Sequence, residues 1–71
     1  MNAKEWLGEF ASKLGVDPPT AAEFSMLLNL AAEAAHASER VAAPVACWIA
    51  AKAGRDPAEA LEAAREVSSD R

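Results

Sequence analysis

Ala21-Ala22-Glu23-Phe24-Ser25-Met26-Leu27-Leu28-Asn29-Leu30-Ala31-Ala32-Glu33-Ala34-Ala35-His36-Ala37-Ser38 runs for eighteen residues without a proline or a glycine. Phe24, Leu27, Leu28, Leu30, Ala31, Ala34 and Ala35 recur at helical spacing and cover much more than half of a helix's circumference. A helix that apolar belongs in the middle of a fold. Thr20 and Glu23 form a capping box at its start, so the predicted helix spans residues 20–38. Asp17 followed by Pro18 offers a rival start. The polar residues Ser25, Asn29, Glu33, His36 and Arg40 follow one another at four, four, three and four residues. They share a narrow edge, provided the helix axis reaches Arg40.

Upstream, Asn2 with Glu5 is a variant capping box opening a predicted helix over 3–14. Ala3, Trp6, Leu7, Phe10 and Leu14 make one stripe, and Gly15 stands where a left-handed cap is expected. Trp6 at helical spacing with Phe10 reads as core.

Downstream, a tight turn over Ser38 to Ala42 leads into a predicted helix over 42–53. Pro44, with no N–H to donate, belongs in its first turn, and Gly54 ends it. Val41, Val45 and Trp48 share one side, Ile49 and Cys47 flank it, and Ala43, Ala46, Ala50 and Ala53 lie opposite. A helix apolar all round is covered on both sides, by its own domain or by a partner. Trp48 is therefore either core or an interface anchor.

Asp56-Pro57-Ala58-Glu59 opens a fourth predicted helix over 57–67. Its apolar face, Ala58, Leu61 and Ala64, is thin, so weak docking is expected. Ser68-Ser69-Asp70-Arg71 is expected to fray. The expected fold class is all-α, a compact four-helix bundle in a single domain over 1–71, with the second and third helices packed centrally and antiparallel. The 19 alanines favour helix, and alternating β-branched runs are absent.

Composition narrows the function classes. A chain of 71 residues buries only roughly 60% of its unfolded surface, so it needs a reinforcement or a very well packed core. Cys47 is the only cysteine, which removes an internal disulfide and a cysteine-based metal site. That single cysteine, with charge at Lys4 and Glu5 where an export signal is apolar, points to a cytoplasmic protein. Val41 to Ala51 is too short an uncharged run to cross a bilayer. A net charge of −4, with the seven cations scattered, argues against nucleic-acid binding.

Chemistry is sparse. The sole nucleophile and base pair is Cys47 with His36, and Cys47 sits in the most apolar helix, where a thiol is inert. His36 with Glu33 is too little for a metal site. The glycines Gly8, Gly15 and Gly54 form no phosphate-binding loop. No catalytic residue, cofactor or metal is expected. The candidate binding residues are His36, Arg40, Pro44 and Trp48. His36 reads either as a half-buried side chain bonded to the turn after its helix, or, with Arg40, as a grip on an anionic group.

The stretch Leu27-Leu28-Asn29-Leu30-Ala31, Ala35-His36, Arg40, Ala42-Ala43-Pro44 and Val45 to Gly54 resembles a small bacterial helical family of unknown function. Trp6-Leu7 and Leu14-Gly15-Val16 extend the likeness to about four-fifths of the chain. Members of that family stand alone or are fused behind nucleotidyltransferases resembling the molybdenum-cofactor guanylyltransferase. The resemblance implies a non-catalytic accessory role beside such an enzyme and carries no catalytic residues with it. Two other roles remain open: a structural homo-oligomer, such as a dimer, packed through the alanine face, and a binder of small anions through His36 and Arg40.

Overall fold

The computed structural model describes residues 1–69, and the order of elements follows from local capping. Helix α1 (Ala3–Leu14) starts at Asn2, whose side chain accepts from the Glu5 N–H at 2.8 Å while Glu5 accepts from the Asn2 N–H at 3.1 Å. It stops at Gly15, whose φ of 75° lies in the left-handed region where only glycine is unstrained. The Val16 N–H then returns to the Ala11 carbonyl at 3.0 Å, closing a Schellman turn. Helix α2 (Ala21–Ala37) begins with the same reciprocal box between Thr20 and Glu23. Pro18 and Pro19 lie outside it, which decides against the start at Asp17. Helix α3 (Ala42–Ala53) ends at Gly54, φ 71°, and α4 (Pro57–Ser69) is capped by the Asp56 carboxylate on the Glu59 N–H at 2.9 Å. The result is an all-α, compact four-helix bundle with no strand among the described residues.

Its centre differs from the expectation in three ways. The sequence reading put α2 and α3 together in the middle; α2 alone is central, packing on α3 and on α4. Leu30 of α2 is only 3% exposed, whereas no residue of α3 is fully buried. Helix α4, expected to dock weakly, supplies Ala60 and Leu61 to the buried set. Alanine explains the reversal: with only a methyl group it lets two helix backbones approach closely, so a thin face still excludes water.

The second correction concerns α1. Ala11 is its buried residue, while Trp6, Phe10 and Leu14, read as core, lie on the surface; Trp6 is 53% exposed. Trp6 and Phe10 stack on each other, ring centroids 5.1 Å apart, and so shield part of their own area.

The third correction is at the C-terminus. Ser68, expected to fray, donates to Glu33 Oε2 of α2 at 2.8 Å, with Arg65 Nε 3.9 Å from the other carboxylate oxygen. This pins the last turn of α4 onto α2. Ser69, also expected to fray, is the last residue of α4 and donates its hydroxyl to the Arg65 carbonyl at 2.9 Å, while Asp70 and Arg71 lie outside the described residues.

The accessible surface of 5552 Å² belongs to a chain of 7.4 kDa. Folded monomers of that mass expose roughly 4,200 Å² by the area–mass scaling. The bundle thus leaves on the order of 1,300 Å² more in water than a self-contained domain of its size.

Candidate interaction surface

Large apolar side chains are part of what is left in water. On α3, Val41, Val45 and Trp48 stand one helical turn apart and are 70%, 55% and 62% exposed. The packing of α3 explains this. Helix α3 packs on α2, and its partly buried residues are Ala42, Ala43, Ala46, Cys47 and Ala50, whereas its bulky residues stay exposed. Lys52 follows at the end of the same stripe and lies over the indole of Trp48, Nζ 4.8 Å from the ring centroid. Such a contact holds the ring in place and contributes about 0.5–1 kcal/mol at an exposed site.

The residues singled out from the sequence form no bonded cluster among the described residues. Pro44 is exposed in the first turn of α3, at a position whose N–H lacks an intrahelical acceptor anyway. His36 occupies the last turn of α2 and is exposed, not half-buried. The bond to the turn that was expected of it is made by Ser38, whose hydroxyl donates to the Ala34 carbonyl at 2.8 Å. Helix α2 ends at Ala37, so Arg40 leaves the polar edge and lies in the turn, where its carbonyl accepts from the Ala43 N–H at 3.2 Å. Neither His36 nor Arg40 has a side-chain hydrogen bond or ion pair with a described residue. Glu33, third on the same edge, turns inward to Ser68 and Arg65.

Cys47 is half-buried, and burial pushes its thiol above the ordinary value. It makes no hydrogen bond with a described residue, His36 included, so the structure holds no assembled thiol–imidazole pair. Among the described residues, no three His, Cys, Asp or Glu side chains gather where they could share a metal ion. No described helix is long and apolar enough to cross a membrane.

One feature escaped the sequence reading altogether. A groove of about 470 Å³ runs along α2 between α3 and α4, with Leu30 and Ala34 as its floor and Ala50 and Ala53 facing Ala60 and Ala64 across it. The signal was present as alanines three and four residues apart on α4. Alanine, however, fills exposed helix positions as readily as it lines grooves, so periodicity did not separate the two.

Fold and surface together define a small helical domain whose largest apolar side chains face outward. The chain belongs to the family described as domain of unknown function DUF6457, whose model matches residues 1–71. No curated protein matches the chain. No solved structure matches it.

Proposed function

We propose that this chain is a non-catalytic helical interaction module that binds a larger enzyme through the outer face of α3. The observation that carries this reading is the exposure of Val41, Val45 and Trp48 as one continuous apolar face. Isolated exposed apolar residues need no explanation, but a contiguous face centred on a tryptophan has the composition of a binding hot spot. The exposed Arg40 immediately precedes Val41 in the chain and offers a charge of the kind found at the polar rim of an interface, and the exposed Pro44 lies in the first turn of the same helix.

The partner we assign is a nucleotidyltransferase resembling the molybdenum-cofactor guanylyltransferase, or a related enzyme. Its support is the resemblance to domains found fused behind such enzymes. Fusion raises effective concentration without itself supplying a contact, so a domain that works beside such an enzyme needs a surface that meets it. The α3 face is the surface we assign to that task.

The test is chromatography with light scattering on a mixture of this chain and such a nucleotidyltransferase. The two are expected to migrate as one complex, with Trp48→Ala and Arg40→Glu weakening it at least roughly tenfold while the variants keep their helical spectrum. Unchanged binding by both folded variants removes the α3 face from the account.

A further inference from the structure

A ridge and a groove on this one chain match each other in chemistry and length. The ridge is on α1, where Trp6, Phe10 and Leu14 follow at four-residue spacing and all three are exposed. At 1.5 Å per residue it extends about 12 Å. The groove lies on α2 between α3 and α4, and its α4 wall, from Ala60 to Ser68, is also about 12 Å long. Its facing alanines leave space in which the large side chains of another helix can sit, as amphipathic helices do in apolar grooves.

We propose that a second copy of this chain fills the groove, its α1 ridge seated between α3 and α4, with the reverse contact made across a two-fold axis. Both halves of the contact belong to one chain, so a two-fold arrangement uses each of them twice and leaves neither in water. The areas agree. A stable interface of standard size takes about 800 Å² from each partner. The bundle's accessible surface of 5552 Å² exceeds that of a folded monomer of its mass by on the order of 1,300 Å², enough to supply it. The groove side of α3 carries Ala50 and Ala53, and its outer face carries Val41, Val45 and Trp48. Ala46 and Ile49 also line the groove, so the two surfaces adjoin along Ile49 but are centred on different residues.

Sedimentation equilibrium on the intact chain reads this directly. The wild type is expected at twice the 7.4 kDa chain mass at high micromolar concentration. Phe10→Arg, which blunts the ridge, and Ala50→Arg, which obstructs the groove, each bring the mass back to one chain with the helical spectrum retained. Mixed together, the two variants form a one-to-one pair, because one intact ridge then meets one intact groove. Should Ala50→Arg lose its helical spectrum, Ala63→Arg on the exposed opposite wall replaces it. A wild type that sediments as a single chain overturns the proposal. So do variants that remain dimeric, or a mixture in which no pair forms.

Discussion

Single residues carry consequences of opposite sign. Gly15 and Gly54 occupy left-handed backbone, φ 75° and 71°, so a side chain there is strained although space is open around both. Gly15→Ala and Gly54→Ala are each expected to destabilise the fold by about 1 kcal/mol in urea unfolding. Gly8 differs: it lies inside α1 with ordinary helical backbone and nothing within 4 Å of an added methyl group. Gly8→Ala is expected to stabilise by roughly 0.5–1 kcal/mol in the same measurement. Cys47 gives a pH dependence. Burial raises its thiol pKa in the folded state, so folded protein keeps the proton after unfolded chain has released it. This contribution is complete below the unfolded thiol's pKa and is lost as pH rises through the folded one. Melting temperature should therefore fall more steeply over that alkaline window in the wild type than in Cys47→Ala. Equal slopes would remove burial of the thiol as a source of stability.

At the scale of elements, the positions of the helices were legible and their packing was not. Caps are local: Thr20 with Glu23, Gly15, Gly54 and Asp56-Pro57 each act within one turn, and the helix ends follow them closely. The face a helix buries depends on its neighbours. Trp6 and Phe10 have the spacing of a core stripe, yet α1 rests on the smaller Ala11. Helix α4 looked thin because its packing residues are alanines, and its tether runs from Ser68 to Glu33, a separation of 35 residues that no local pattern reveals. The tether gives a stability prediction: Ser68→Ala should cost roughly 1 kcal/mol, the net value of one hydrogen bond. Among the candidate binding residues, the all-round apolar pattern of α3 leaves Trp48 as either core or interface anchor, and in the fold it is exposed. The grouping of His36 with Arg40 was less legible, since it assumed a helix that continues past Ala37. Trp48→Ala is expected to change stability by no more than about 0.5 kcal/mol, as an exposed substitution does. Leu30→Ala, at the centre of α2, should cost about 2–5 kcal/mol. Thermal and urea unfolding of the two variants would check the contrast.

For the whole molecule, the governing fact is an accessible surface of 5552 Å² around only four buried apolar residues among those described, Ala11, Leu30, Ala60 and Leu61. A bundle with so small a core gains from association, since any contact formed by the folded state alone adds to its stability. The two tryptophans report on the two surfaces assigned here, Trp6 on the ridge of α1 and Trp48 on the outer face of α3. The most direct measurement is therefore the fluorine NMR spectrum of the chain labelled with 5-fluorotryptophan, recorded across a dilution series and then with the nucleotidyltransferase added. The account predicts a Trp6 resonance that moves with chain concentration while Trp48 stays still, and a Trp48 resonance that moves when the enzyme is added. A Trp48 resonance indifferent to the enzyme would contradict the assignment of the α3 face, and a Trp6 resonance fixed across the dilution series would contradict the seating of α1 in a second copy.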